Sequence, residues 1–424
     1  MNIPIWLFVI LVVSTLLAVV FGYVLWSGRT QRYTRVGRRQ LESLDAALPS
    51  IEALTQGWRV GGNRLELLRN GDAFFSRLLD DVANAKHSVH LESYVWWRGD
   101  ICVRVAEAFS KKAREGVAVR LVLDGVGSMS MDPKLLEQMC EAGVLVAQYN
   151  DFRFRTMGRI NKRTHRKLAV IDSQVGYIFS HGIAQEWMGD ADGPDSWRDT
   201  GARLEGPIVP RIQALFAQHW MEETAEVLSD SAYFPDPTPR GEVILQLVSS
   251  SPRGGVSQVS LLHRLVIAAA QREIVIQNPY FAPSREIVDM LIEAAKRGVR
   301  VRIMVPGEKT DSYTTWYAGH QSFERLLEEG VEIWEYRKTL CHQKVIVVDR
   351  AWGHLGSTNF DERSFDINAE VSLGILDDGV AAELLADFET DLEHAVRIDL
   401  RVWVKRPRTD RVKEWLCDLI REQI

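Results

Sequence analysis

Beyond residue 60 the chain says similar things twice, and that repeat constrains its fold more than any single motif. The segment HSVHLESYVW (87–96) parallels REIVIQNPYF (272–281), and AREGVAVRLVLDG (113–125) parallels AKRGVRVRIMVPG (295–307). Likewise CEAGVLVAQYN (140–150) parallels LEEGVEIWEYR (327–337), and THRKLAVID (164–172) parallels CHQKVIVVD (341–349). The separation is 187 residues at Gly143/Gly330 and 177 at His165/His342, so the first half carries about ten extra residues around DFRFRTMGRI (151–160). Within each half, short β-rich runs such as VRLVLD and VRIMVP alternate with helix-period stretches such as IVDMLIEAAKRG. Alternation of this kind is the signature of an α/β fold. The reading is therefore two homologous α/β halves packed about a pseudo-two-fold axis. They are expected over 60–232 and 242–396, joined by the Pro-rich linker YFPDPTPRG (233–241).

The first 28 residues carry no charged side chain, and Ile3 to Trp26 is almost entirely apolar. That length matches the ~20 residues needed to span a bilayer. Arg29, Arg32, Arg35, Arg38 and Arg39 follow without an intervening acid. A cleaved signal would place its positive charge before the apolar run and small residues at its end. The expectation is a retained, single-pass anchor (1–28) and a basic juxtamembrane segment (29–59), with the body cytoplasmic by the positive-inside rule. At the other end, residues 409–424 set Val412, Trp415, Leu416, Leu419 and Ile420 on one face of an amphipathic helix within the tail 397–424, suited to dock on the body or lie on the bilayer. The insertion 151–163 interleaves apolar residues with five positive charges, as a solvated loop or as an element attracted by anionic lipid. A net charge of -6 argues against a nucleic-acid binder. Four cysteines without CxxC spacing argue against a thiolate metal site or a disulfide scaffold.

The pattern HxKxxxxD occurs as His165–Lys167–Asp172 and again as His342–Lys344–Asp349, within motif regions 160–187 and 337–364. In a strand, residues two apart share a face, so imidazole and ammonium point the same way and can meet one phosphate together. Histidine titrates near neutrality and can act as nucleophile or as acid–base, while lysines neutralise charge developing on phosphoryl oxygens. After the second motif, GSTNFDERSF (356–365) offers Gly356 for close backbone approach to a ligand and Ser357 and Asn359 as donors. Asp199 and Glu370 each open a strand and are candidates to hold a histidine Nδ1–H. Tyr94 and Tyr280 repeat, suited equally to the site or the core.

These residues resemble the phospholipase D superfamily, whose signature is HxKxxxxD followed by GSxN. The likeness spans about residues 60 to 395, and the segment WRDTGARLEGPIV (197–209) is similar to bacterial cardiolipin synthases of the shorter type. The resemblance implies one shared site, a two-step displacement through a phosphohistidine, phospholipid substrates such as phosphatidylglycerol at an anionic membrane surface, and no cofactor, metal, nucleic acid or obligate protein partner. It implies catalytic roles for His165, Lys167, Asp172, His342, Lys344 and Asp349. Substrate contacts would come from Ser180, Ser357 and Asn359. A hydrolase of the same superfamily, lipid-cleaving or nuclease, and a non-catalytic scaffold are the competing functions. The first half departs from the pattern. It reads FSHG (179–182) where the family has a small-residue cluster, with Phe179 in the glycine slot, Ser180 next to it, His181 after that, and Gly182 in the Asn slot. Phe179 is expected to point into the core, leaving Ser180 toward the site.

Overall fold

The computed structural model describes residues 4–27, 41–150, 161–251 and 257–424. The basic residues between 28 and 40 and the insertion at 151–160 lie outside the described residues.

The duplication is visible strand for strand. The first half contributes β1 (Arg59–Arg69), β2 (Ser88–Ser93), β3 (Ala118–Asp124), β4 (Leu145–Tyr149), β5 (Leu168–Ile171), β6 (Val175–Ile178) and β7 (Thr200–Glu205). The second contributes β8 (Val243–Ser250), β9 (Glu273–Gln277), β10 (Arg300–Pro306), β11 (Glu332–Tyr336), β12 (Val345–Val348), β13 (Trp352–Gly356) and β14 (Glu370–Leu376), with β15 (Ala395–Arg397) added at its edge. They form a continuous sheet in the order β15-β11-β10-β9-β12-β13-β14-β8-β1-β7-β6-β5-β2-β3-β4. Each strand of one half sits where the strand seven later sits in the other, and the antiparallel β1–β8 pair is the seam. In both halves the three outer strands are parallel (β2-β3-β4 and β9-β10-β11) and the inner ones antiparallel.

Local chemistry sets the elements. Helices cover the parallel strands, which explains why Val119–Leu123 and Val301–Val305 are buried without alternation. The helix Asp100–Arg114 starts on an acid and ends on Lys111, Lys112 and Arg114, matching its dipole. Gly116 and Gly298, at φ +88° and +91°, turn the chain from helix to β3 and β10 in the left-handed conformation that suits glycine. Two apolar clusters fill the outer sides of the halves. A third runs through both, joining Leu168, Ile178, Leu204 and Phe216 to Leu245, Val345, Leu373 and Phe388. The halves thus share one core.

The structure adds detail to three segments outside the repeat, and one of them differs from the sequence reading. The helix Leu44–Thr55 is not a juxtamembrane spacer. Leu44, Ala47 and Ile51 pack into the second half's core, because that helix's apolar face has the helix Gln258–Ala269 to bury against. The segment 233–241 is held rather than free: Tyr233 packs on the shared core and the Arg240 N–H donates to Gly62 O. The C-terminal helix Arg408–Asp418 docks on the body: buried Glu414 pairs with Arg406 at 2.7 Å and Arg406 reaches Glu324 at 3.2 Å, while Val412, Trp415, Leu416, Leu419 and Ile420 stay exposed. At the N-terminus, the helix Ile5–Ser27 is long and apolar enough to cross a membrane, with mean hydropathy 2.8 over Ile5–Gly22 and none of that window buried.

Candidate active site

The repeated histidines stand just before β5 and β12, and each is stitched to the opposite half. The His165 N–H donates to Ala369 O at 2.9 Å, and the Ala369 N–H returns a bond to Arg163 O. Symmetrically, the His342 N–H donates to Arg198 O at 2.8 Å, and the Arg198 N–H donates to Leu340 O. These bridges place the next residue of each partner segment, an acid, beside the ring. His165 Nδ1 lies 2.9 Å from Glu370 Oε1, and His342 Nδ1 lies 2.8 Å from Asp199 Oδ2. Each histidine is therefore oriented by a carboxylate from the other half. A carboxylate only accepts, so Nδ1 carries the proton and the Nε2 lone pair is presented outward.

Both acids are fully buried and heavily bonded. Glu370 also accepts from Ser357 Oγ; Asp199 accepts from Ser180 Oγ and, at 2.8 Å, from Trp187 Nε1. Burial works to raise both acids' pKa values, but the surrounding imidazoles, lysines and donors overcome it and hold them below the usual carboxylate range. Burial pushes His165 down to about 4 and His342 down to about 3, so both rings are neutral at neutral pH before a substrate binds. Lys167 is pushed down to about 7, first by burial and then by the charge of Lys344. Burial pushes Lys344 down to about 8. Two buried ammonium groups from different halves, one close enough to depress the other, form a receptor for an anion.

Aromatic rings frame the pairs. Tyr94 lies edge-on to His165 (5.1 Å), with Lys167 Nζ 5.4 Å from its ring centre; Tyr280 lies 6.1 Å from His342, with Lys344 Nζ at 5.8 Å. His342 is further walled by Trp187 (5.0 Å) and Trp197 (5.6 Å). Lys344 Nζ also sits 2.9 Å from His342 Nε2, whereas among the described residues His165 Nε2 has no hydrogen-bond partner. The two tryptophans were not singled out from sequence, although Trp197 stands two residues before Asp199 and so carried a positional signal.

Several expected site residues lie elsewhere or act differently. Asp172 and Asp349 sit at the far ends of β5 and β12 and do not join the site. Asp172 accepts from the N–H groups of Lys86, His87 and Ser88 (2.8, 2.7 and 2.9 Å), and Asp349 from those of Gln271, Arg272 and Glu273 (2.9, 2.7 and 3.0 Å). A four-residue strand separates each aspartate from its lysine, roughly 3.3 Å per residue, which is why the last letter of the motif is remote from the first two. Ser180 and Ser357 direct their hydroxyl protons at Asp199 and Glu370 and so brace the acids rather than wait for substrate. Asn359 is 5% exposed, and its Oδ1 has no partner among the described residues.

Gly356 is required by the protein itself: a Cβ there would stand 2.3 Å from Val371 O on the neighbouring strand. In the first half, Phe179 is fully buried and packs 4.7 Å from Phe74, and His181 stacks on the same Phe74 ring at 4.3 Å. Gly182 occupies the Asn slot because a Cβ there would meet Trp187 and Val95 at 2.7 and 2.8 Å. Among the described residues no group of three or more His, Cys, Asp or Glu side chains is placed to hold a metal.

Comparison with known proteins gives a consistent picture. The family model for the cardiolipin synthase, PLD-like domain, matches residues 78–220 and again 264–392, one match in each half. A probable cardiolipin synthase of Bacillus subtilis is 34% identical over 355 residues, covering 83% of this chain and 70% of the relative. A cardiolipin synthase of Geobacillus kaustophilus is 33% identical over 389 residues, covering 90% and 77%. Among solved structures, a phosphatidylserine synthase of Haemophilus influenzae shares the fold with TM-score 0.67 at 14% identity, covering 89% of this chain and 99% of that one.

Proposed function

The chain belongs to the cardiolipin synthase family of phospholipase D-like proteins, and from that premise we propose that it is a membrane-associated phosphatidyl transferase that forms cardiolipin. The observation that carries the reading is the crossed pairing, His165 with Glu370 and His342 with Asp199, which makes one site out of two halves. Neutral His165, with its Nδ1–H given to Glu370, directs its Nε2 lone pair at the phosphorus of phosphatidylglycerol. The Nε2–P bond forms as the P–O bond to glycerol breaks; His342, neutral before substrate arrives, takes a proton from solvent at Nε2 once the negative phosphodiester stands beside it, and as the imidazolium it gives that proton to the departing alkoxide. In the second step the hydroxyl of another phosphatidylglycerol gives its proton back to His342 and attacks phosphorus, releasing His165 and leaving cardiolipin. Lys167 and Lys344 neutralise the phosphoryl oxygens in both steps.

His165 is assigned as nucleophile because His342 Nε2 is engaged by Lys344, an arrangement suited to a proton-transfer partner. Splitting the displacement lets a lipid alcohol compete with water for the intermediate. The apolar helix Ile5–Ser27 serves as the single membrane anchor, with Arg29 and Arg32 beyond it favouring a cytoplasmic body. Purified protein incubated with phosphatidylglycerol vesicles tests the assignment. Cardiolipin plus free glycerol is the expected product pair, and phosphatidic acid plus glycerol in its place would make the protein a hydrolase.

A further inference from the structure

The pseudo-two-fold axis allows the surroundings of the two histidines to be compared position by position, and one side holds a cavity where the other carries ion pairs. Arg69 pairs with Thr200 and Ser249 pairs with Val371, each directly after an orienting acid, so Ser249 is the counterpart of Arg69. By the same register, Ala369 is the counterpart of Arg198, and Arg166 is the counterpart of Gln343. On the His342 side the space is packed with charge: Arg69 pairs with Asp387 (2.8 Å) and Glu383 (3.1 Å), and Arg198 pairs with Asp391 (3.0 Å), which also accepts from Gln343. On the His165 side the two long cations are replaced by Ser249 and Ala369. There the structure has a polar cavity of about 450 Å³ lined by Arg166, Arg211, Gln218, Ser249, Ser250 and Asn368.

Arg166 is the feature that gives this cavity a ligand preference. It is 1% exposed, yet among the described residues its NH groups reach only the Ser250 and Leu215 carbonyls, at 3.2 and 3.4 Å, and its Nε has no hydrogen-bond partner. The buried carboxylate that feels its charge, Glu92, is taken up by His219 and Thr164. A buried guanidinium whose donors are not all used favours an anion with several acceptor oxygens. Arg211 adds a second cation, and serines and amides supply further donors. One carboxylate, Asp366, is also on the lining, and the two arginines outnumber it.

We propose that this cavity is a binding site for a phosphate-bearing anion, distinct from the site between the two lysines. The ligand chemistry is that of a glycerophosphate headgroup or of free inorganic phosphate. An occupant would bear on catalysis through the wall it touches: Ser250 Oγ accepts from the Glu370 N–H at 3.3 Å, and Asn368 Nδ2 lies 3.5 Å from Glu370 Oε1.

The test is calorimetric titration of the full chain in a neutral detergent with inorganic phosphate and, separately, with dihexanoyl phosphatidylglycerol. The background is Lys167→Met/Lys344→Met, which strips the catalytic site of its cations. One equivalent of at least one probe is expected to bind still, and the probe that binds identifies the source, free anion or headgroup. Adding Arg166→Gln or Arg211→Glu, each of which installs the other half's residue by register (Gln343, Glu383), should weaken that binding tenfold or more. Arg211 is exposed, so its replacement keeps the test open if the buried Arg166 variant fails to fold. Absence of residual binding by folded background protein, or residual binding indifferent to both arginine changes, would overturn the proposal.

Discussion

The two halves agree in scaffold and disagree in what surrounds their histidines. Strand order, the lysine two residues on, the serine-braced acid and the tyrosine beside each pair are common to both. Around His342, however, stand Trp187, Trp197 and a lysine within 3 Å of Nε2. Around His165 stands Tyr94, and the second half keeps Asn359, its Oδ1 without a partner among the described residues, where the first half has closed the equivalent slot with Gly182 against Trp187. Duplication thus preserved the parts that orient and charge the site, and the differing surroundings fit the proposed division of the two histidines into a nucleophile and a proton carrier. Because each orienting acid crosses the seam, neither half can hold its own histidine.

The most severe test of that division removes the histidines. His165→Ala and His342→Ala should each reduce turnover by about 10³-fold or more with melting temperature little changed, since each supplies a step the other cannot. Rapid quenching should trap a phosphorus–nitrogen adduct on His165, located by mass spectrometry. An adduct on His342 would reverse the assignment, and near-normal rates in both variants would remove the shared site altogether. Next in size are the crossed acids. Glu370→Gln and Asp199→Asn should each cost about 10²–10⁴-fold in kcat by releasing the ring that each holds. Because these are positioning residues, the pH–rate profile should shift as well, and a loss of stability with an unchanged profile would make them merely structural.

The lysines sharpen the comparison through pH. Lys167 at about 7 and Lys344 at about 8 lose their protons in the empty enzyme as pH rises through that interval, so kcat/KM should fall there. A bound phosphodiester restores the charge, so kcat should hold to higher pH. The stability effect has the opposite sense. Between about 7 and about 10.4, the unfolded chain keeps a proton that folded Lys167 has lost, so this lysine's destabilising contribution is full below that window and vanishes above it. Lys167→Met should therefore raise the melting temperature more at pH 6 than at pH 10 while abolishing turnover. An equal rise at both values would mean that the charge is not the cause. Phe179→Gly comes next. The ring lies in the core against Phe74, so its loss should cost about 3–5 kcal/mol by analogy with Phe→Ala, leaving the accepted alcohols unchanged. A widened acceptor range without a lower melting point would place the ring at the phosphate instead.

Much of this arrangement was legible because a repeat converts weak local patterns into paired ones. The parallel strands, the histidine–lysine pairs and the inward Phe179 all follow from residue spacing and strand alternation. What spacing cannot convey is contact across the seam. Sequence suggested that an acid could hold a histidine, but not that Glu370 serves His165 while Asp199 serves His342, because that choice is made by the bridges Thr164–Ala369 and Arg198–Cys341. Nor could it distinguish a glycine that faces a ligand from one that faces a neighbouring strand, as Gly356 does. The helix Leu44–Thr55 was hidden for a related reason: its partner lies some two hundred residues away in sequence.

The smallest expected effect concerns the aspartates that end each motif, where the two halves should behave alike. Asp172 and Ser173, and likewise Asp349 and Arg350, have φ between +49° and +60°. The bonds Gln174 N–H to Ile171 O and Ala351 N–H to Val348 O close the turns β5–β6 and β12–β13. Three residues lie between the paired Ile171 and Val175, and between Val348 and Trp352, and the left-handed φ at the first two of each loop is one that aspartate tolerates well. The carboxylate then ties the turn to three N–H groups at the start of β2 or β9. Asp172→Asn and Asp349→Asn keep the backbone preference but lose charge and an acceptor, and each should cost about 1–3 kcal/mol of stability. Alanine at either position should cost more, since it adds left-handed strain to the lost bonds. Turnover per folded molecule should be unchanged in both asparagine variants, because the side chains anchor the far ends of the strands that carry the lysines. A tenfold fall in kcat with an unaltered melting temperature would return these aspartates to the chemistry, and a fall in only one half would show that the duplication diverged even in its turns.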